Sequence, residues 1–152
     1  MSSLHSFEKY VEQANHWVQE LSAELSMPEE KAKRIIRVTL QALRNHIPTT
    51  ASFHLMAQLP IIWKGIYVDG WILSDRYERM HDMHDYLESI RSVDQKMAAY
   101  DFGNDEQATH TVMAVWKIMA NHISKTELLQ ICDTLPKIIK SQIEKNLKMT
   151  IL

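Results

Sequence analysis

A segment in the middle of the chain carries residue types that bind metal ions in helical proteins. If residues 78–88 form a helix, four polar side chains share one face at the spacing i, i+3, i+4 and i+7: His81, His84, Asp85 and Glu88. Imidazole and carboxylate groups in this arrangement can hold zinc, iron or manganese. The segment therefore makes a metal-dependent enzyme or metal sensor one candidate function.

Two features of the sequence argue against this metal site. The apolar residues of the same segment form a separate stripe that must face the core: Met80, Met83, Leu87 and Ile90. Di-iron bundles that use a Glu-x-x-His motif need a second copy of it, and Glu78-x-x-His81 occurs once. The preferred interpretation is a solvent-exposed helix face, on which His and carboxylate side chains four residues apart form pairs. No cofactor is therefore expected.

Aromatic residues at the end of the first half suggest a protein-binding surface. Trp63 and Tyr67 lie four residues apart and share one helix face, and Trp71 follows after Gly70. Exposed Trp and Tyr side chains contribute much of the binding energy at protein interfaces. The same side chains can instead close one end of the core, which is the preferred interpretation of the set as a whole. Trp71 is the strongest candidate for contact with a partner.

Basic residues concentrate in two segments, one early and one at the end of the chain: Lys31, Lys33, Arg34 and Arg37, then Lys137, Lys140, Lys145 and Lys148. A helix with such residues can follow the phosphates of a nucleic acid, but no docking motif accompanies them. The formal net charge of −2 also gives no support to a polyanionic partner. A nucleic-acid-associated regulator is the weakest of the candidate functions.

The elements that must position these residues form two similar halves. When the chain is shifted by 76 positions, residues 28–67 align with residues 104–143 without a gap. A repeat of this size indicates a duplicated structural unit. Each half alone, at roughly 70 residues, is small for a stable core, so the two halves are expected to pack together.

Helical periodicity runs through both halves. Apolar residues recur at helical spacing over about residues 4–25 and again over about residues 28–45. Leu59-Pro60 and its counterpart Leu135-Pro136 predict bends between shorter helices, because proline disrupts a helix interior. In the second half a long helix, in one or two pieces, is expected over about residues 75–99.

Capping residues add helix boundaries to this pattern. Ser26 and Asn104 are predicted N-caps, since each precedes a segment that opens with proline or acidic residues. The predicted fold class is all-α, with two tandem four-helix units related by internal duplication. These units, about residues 4–72 and 75–148, are expected to pack as one helical domain.

Two Asn-His pairs, Asn45-His46 and Asn121-His122, stand at the predicted ends of the central helices. A functional interpretation makes them two equivalent sites, for ligands or for proton transfer. The preferred interpretation is structural, because Asn tolerates the turn at a helix end and His can meet the negative end of the helix dipole. A duplicated unit can bind two copies of one ligand or keep only one site.

Composition narrows the compartment and the chemistry. The single cysteine, Cys132, excludes an internal disulfide and a Cys-based zinc cage. No apolar run reaches the roughly 20 residues that span a bilayer, and no signal-peptide pattern is present. No spacing arranges a nucleophile beside a base, and phosphate-binding glycine loops are absent. We therefore expect a cytoplasmic protein without a membrane partner, and a binding protein in preference to an enzyme.

Three strings in the first half are similar to motifs of a known family: Leu43-Arg44-Asn45-His46-Ile47-Pro48, Ala57-Gln58-Leu59-Pro60 and Gly65-Ile66-Tyr67-Val68-Asp69-Gly70-Trp71. They resemble the LRxxIP turn, the AQLP bend and the GxYxxGW exit of the bacterial domain-of-unknown-function family 2267. The resemblance covers about residues 5–145. The second half departs from it, because Ser141 stands at the equivalent of Gly65 and no Trp follows. The resemblance implies a duplicated helical fold and a bacterial cytosolic setting, without an activity or catalytic residues.

The leading hypothesis is a non-catalytic helical protein-binding or scaffold module. Its expected partner is another protein or a second copy of the chain in a homodimer, and nucleic acid is not expected. The recognition surface is predicted in a groove between the halves, with Trp63, Tyr67 and Trp71 near one end. The metal-dependent protein and the nucleic-acid regulator stay open as alternatives.

Overall fold

The computed structural model describes residues 2–74 and 76–151, with the side chains of residues 7–74 and 76–147. This part of the chain is helical and contains no β-strand, which confirms the predicted all-α class. In chain order the α-helices are α1 Ser2–Leu25, α2 Glu29–Arg44, α3 Thr49–Gln58, α4 Ile61–Val68, α5 Met83–Asp94, α6 Ala98–Phe102, α7 Asp105–His122, α8 Lys125–Cys132 and α9 Lys137–Ile151. A short 3-10 helix, Gln95–Met97, joins α5 to α6.

Helices α2 and α7 lie at the centre of the fold and contact each other. The first helix of each half, α1 or α5, packs against both of them, so that each half covers the central helix of the other. Helix α2 is covered in this way because apolar residues occupy a wide arc of its surface, of which Ile35, Ile36 and Leu40 are fully buried. Burial of each such side chain stabilises the fold by about 1.5–3 kcal/mol. Buried residues of both halves therefore form one core.

Three helix starts in the first half recur in the second half at the register that the sequence suggests. Helices α2, α3 and α4 begin at Glu29, Thr49 and Ile61, and α7, α8 and α9 begin at the residues that align with them. Both Leu-Pro bends also separate consecutive helices, because Leu59-Pro60 precedes α4 and Leu135-Pro136 precedes α9. Duplication itself stays an inference from the sequence.

The long helix predicted over residues 75–99 is wrong at its start. Residues 76–80 are not helical, and α5 begins at Met83. One local contact and one long-range contact explain the later start of α5. Asp82 caps α5 by accepting a hydrogen bond from the Asp85 N–H (3.0 Å), and the Glu78 N–H donates to the distant Asn45 carbonyl (3.0 Å). Asp75, where the helix was predicted to begin, lies outside the described residues.

The predicted caps differ in outcome. The Asn104 side chain caps α7 by accepting from the Gln107 N–H, and the Asn104 N–H donates to the Gln107 side chain. The two bonds complete a capping box. Ser26 is not an N-cap: Pro28 occupies that position, and Ser26 adopts a positive φ of 51° in the turn after α1. The connection between the two helices is two residues longer than an N-cap at Ser26 would give, because α2 begins at Glu29 instead of Met27.

Candidate functional site

Trp63 and Tyr67, two of the three predicted contact residues, belong to the core. Trp63 is 1% exposed and its indole N–H donates to the Ala14 carbonyl at 3.1 Å. Tyr67 is fully buried, and its hydroxyl shares a 2.7 Å hydrogen bond with the Ser52 hydroxyl. Burial raises the pKa of Tyr67 to about 12. Neither side chain is accessible to a partner in this conformation, which matches the interpretation that they close one end of the core.

Trp71 differs, because it lies half-buried at the edge of an exposed apolar surface. Its ring meets Tyr67 edge-to-face on one side (5.8 Å between centroids) and Phe53 on the other (6.4 Å). Phe53, Ile72 and Leu73 are exposed by 52%, 87% and 61%. We refer to Phe53, Trp71, Ile72 and Leu73 as the Trp71 surface.

Arg44 and Gln41 of α2 hold the chain that leads to the Trp71 surface. The Arg44 guanidinium donates to the carbonyls of Tyr67 and Asp69, each at 2.7 Å, and the Gln41 amide donates to the Ile66 carbonyl at 2.9 Å. These bonds satisfy the carbonyls of Tyr67 and Asp69 at the end of α4, and they give the Ile66 carbonyl a second donor beside the Asp69 N–H. The exit from α4 is therefore fixed to the central helix, and the position of Trp71 is fixed with it.

The four predicted metal ligands do not share a helix face. His81 precedes α5, and its N–H donates to the Asp85 carboxylate at 2.9 Å, so Asp85 serves the start of the helix. His84 and Glu88 lie together on α5, with 3.8 Å between Nε2 and Oε1. Asp105, which the sequence did not indicate, completes their cluster through a 2.7 Å contact with His84 Nδ1.

Arg91 already balances the carboxylates of this exposed cluster. Its guanidinium donates to Asp105 at 2.8 Å and to Glu88 at 3.3 Å. The hydrogen bond to Asp105 raises the pKa of His84, and the bonds from His84 and Arg91 lower the pKa of Asp105. The geometry is that of a surface ion-pair network that ties α5 to the start of α7, and it gives the metal hypothesis no further support.

The early basic segment is used largely within the protein. Lys31 lies 4.4 Å above the Tyr100 ring, Lys33 pairs with Glu30, and Arg34 forms a two-point contact with the buried Asp101 (2.7 Å for each bond). In the C-terminal segment Lys140 pairs with Asp133 and Glu144, while the side chain of Lys148 lies outside the described residues. Among the side chains that the structure describes, neither segment presents an uninterrupted basic face.

A buried carboxyl pair next to Arg34 was not indicated by the sequence, because its members are far apart from Arg34 along the chain. Asp94 and Asp101 are only 5% and 3% exposed. Burial and the neighbouring Asp101 raise the pKa of Asp94 to about 7. Burial acts to raise the pKa of Asp101 as well, but the hydrogen bonds from Arg34 prevail and lower it.

Replacing Asp94 with Asn is expected to flatten the dependence of stability on pH. In the folded chain Asp94 keeps its proton up to about pH 7, whereas in the unfolded chain it releases the proton near pH 3.8. The stability that this bound proton contributes is therefore present at low pH and is lost as the pH rises through about 7. Between about pH 5 and about pH 8 the wild type should lose about 2 kcal/mol of unfolding free energy that Asp94→Asn retains. Asp101, with its lowered pKa, contributes only below 3.8 and in the opposite direction.

Urea unfolding at both pH values measures the effect. The matched control is Glu12→Gln, which neutralises an exposed carboxylate on α1 and should keep the wild-type dependence on pH. A wild-type stability that rises over this pH interval, or a variant with the same decline as the wild type, would contradict the expectation.

The two Asn-His pairs occupy different environments. His46 is 7% exposed; its Nδ1–H donates to the Glu78 carbonyl and its Nε2 accepts from the Ser89 hydroxyl, each at 2.6 Å. His122 is more exposed, stacks on Trp17 (5.2 Å between centroids) and contacts the Glu20 carboxylate at 2.8 Å. Both rings also line cavities, as described below.

Comparison with known proteins gives one match. In the part of the chain that the structure describes, no helix combines the length and apolarity needed to cross a membrane. No curated protein matches the chain. A family model described as an uncharacterized conserved protein, DUF2267, matches residues 14–141, which include both central helices, both Leu-Pro bends and Trp71. The chain therefore belongs to the domain-of-unknown-function family 2267.

Proposed function

We propose that this protein is a non-catalytic helical binding module that associates with a second copy of itself through the Trp71 surface. The observation that carries the proposal is the exposure of Phe53, which contacts the half-buried ring of Trp71, and of Ile72 and Leu73, which follow Trp71 in the chain. Exposed apolar side chains that lie together mark interaction sites in soluble proteins.

The composition of the surface supports self-association rather than a transient partner. The four residues of the Trp71 surface carry no charge, and homodimer interfaces are more apolar than transient ones. Trp71 itself is held in place, because it follows the end of α4 that Arg44 holds against α2. A side chain that is already held in place loses less conformational entropy on binding.

Replacing Leu73 with Asp is expected to convert a dimer into a monomer. An unpaired carboxylate in a buried apolar contact is costly, so the dissociation constant should rise by about 100-fold or more. Sedimentation over a range of concentrations measures this, since the wild type should approach twice the chain mass of 17.8 kDa.

The matched control is Ile138→Asp, which introduces the same charge at a 54% exposed position of α9 and should leave the dimer intact. A wild-type chain that stays at the monomer mass at the highest concentration contradicts the proposal. So does an Leu73→Asp variant that sediments with the wild type.

A further inference from the structure

The chain holds one of its own extended segments by the backbone. The N–H of Glu78 donates to the Asn45 carbonyl at 3.0 Å, and the Glu78 carbonyl accepts from His46 Nδ1 at 2.6 Å. Ser89 orients the imidazole by donating to its other nitrogen. Since both bonds use backbone atoms of Glu78, whose side chain is exposed, the contact does not depend on the identity of that residue.

This segment lies in a groove between the halves. Two cavities of about 550 and 340 Å³ flank residues 77–81, and His46 lines both. Leu135-Pro136 lines the second cavity, and Ser89 lines the first. Two residues after Glu78, Met80 is 4% exposed and packs into the core. We call this region the occupied groove. It combines a backbone contact at the Asn45-His46 pair with an apolar side chain, that of Met80, which anchors the segment beside it.

A second groove lies at the positions that align with the first one. Its volume is about 330 Å³, and its lining includes Gln13, Trp17, Leu59, Pro60 and His122. In the 76-residue register each of these residues aligns with one that lines the occupied groove: Ser89, Val93, Leu135, Pro136 and His46. The two remaining lining residues, at positions 16 and 58, also have counterparts there.

No extended segment lines this second groove among the residues that the structure describes. Its lining comes from α1, the end of α3, the following bend and the end of α7. The first half differs from the second because α1 is already helical at Ser2, whereas α5 begins at Met83, the counterpart of Phe7. We call this second region the open groove.

We propose that the open groove binds an extended peptide segment of a partner protein in the manner in which the occupied groove holds residues 77–80. One peptide residue donates its N–H to the Asn121 carbonyl, which is among the last carbonyls of α7 and has no partner within the helix. The carbonyl of the same residue accepts from the His122 ring. An apolar side chain two residues later packs against Trp17 and Leu59, as Met80 packs at the occupied groove.

The contact with Glu20 leaves the other ring nitrogen of His122 to face a peptide. With one ring nitrogen directed at the Glu20 carboxylate, the doubly protonated imidazole of His122 still has an N–H at Nδ1 to donate. Binding is therefore measured in buffer at about pH 6, because only a doubly protonated imidazole has two N–H groups to donate. The open groove is separate from the Trp71 surface, so this proposal stands independently of self-association.

The probe is a labelled, end-capped peptide with the sequence of residues 76–81, titrated with the intact protein and followed by fluorescence anisotropy. We expect saturable binding that weakens at least about tenfold in His122→Ala, which removes the side-chain donor. Gln13→Trp, which fills the groove from an exposed position, should abolish binding. A peptide with Ser in place of Met should bind at least about tenfold more weakly, because it lacks the apolar anchor.

His110→Ala is the control, since it removes an exposed imidazole from α7 away from the groove and should bind like the wild type. Circular dichroism establishes that each variant keeps its helices. Two results overturn the proposal: a wild type that shows no saturable binding, or binding that is equal in His122→Ala and the wild type. The second result would assign the peptide to another site, including displacement of the chain's own segment.

Discussion

Replacing Trp63 with Ala should lower the free energy of unfolding by about 3–5 kcal/mol, because it leaves a large cavity in the core. The indole is 1% exposed and packs beside Trp17, with 6.4 Å between ring centroids. The change also removes the indole N–H that the Ala14 carbonyl accepts in addition to its bond within α1. Urea unfolding, followed by far-ultraviolet circular dichroism, measures the loss.

Two further variants separate packing from surface effects. Trp63→Phe keeps an aromatic ring and should cost less than half as much, whereas Trp71→Ala, at the half-buried position, should cost about 1 kcal/mol. The Trp71 change should weaken self-association instead. If Trp63→Ala unfolds at the wild-type urea concentration, Trp63 does not have the structural role that its burial assigns to it.

The helical class and most helix boundaries were predictable because they depend on local physics. Apolar spacing identified α1 and α2, and proline at Leu59-Pro60 and Leu135-Pro136 fixed two helix starts. Asn104 was predictable as a cap, since its partner Gln107 lies three residues away. Each of these signals is contained within one or two helical turns.

The start of α5 was not predictable, because a distant contact outweighs the local pattern. Residues 76–82 have apolar spacing that suits a helix, yet the Glu78 backbone bonds to Asn45 and His46 in the first half. This contact also explains why the predicted metal face does not form, since His81 falls before the helix. The repeat of the two Asn-His pairs along the chain gave no sign that one pair, Asn45-His46, binds the backbone of Glu78.

The ion pairs of the site were not predictable for a related reason. His84 meets Asp105, and Arg34 meets Asp101, although nothing in their spacing indicates a contact. Sequence spacing reports neighbours on one helix, whereas these pairs depend on how two helices are placed against each other. The exposure of the Trp71 surface has the same origin, since Phe53 belongs to α3 and Trp71 follows α4.

Replacing Arg34 with Met should destabilise the protein by about 3–5 kcal/mol, because it leaves the Asp101 carboxylate buried without its cation. Both bonds of the Arg34 guanidinium to Asp101 are 2.7 Å long, and the Asp101 side chain is completely inaccessible. Asp94 adds a second buried carboxyl group beside Asp101, and burial together with Asp101 raises the pKa of Asp94 to about 7. The expected loss is measured by urea unfolding at about pH 7.

A set of variants separates the loss of the Arg34–Asp101 ion pair from the effect of leaving Asp101 unpaired. Lys33→Met removes an exposed cation one residue away and should change stability by about 0.5 kcal/mol or less. The double variant Arg34→Met, Asp101→Leu removes both charges and should recover most of the loss, because a buried ion pair can be replaced by apolar side chains at little cost. An Arg34→Met chain as stable as Lys33→Met would show that water, rather than Arg34, neutralises Asp101. A double variant no more stable than Arg34→Met would show that the loss comes from packing against α6 instead of from the unpaired carboxylate.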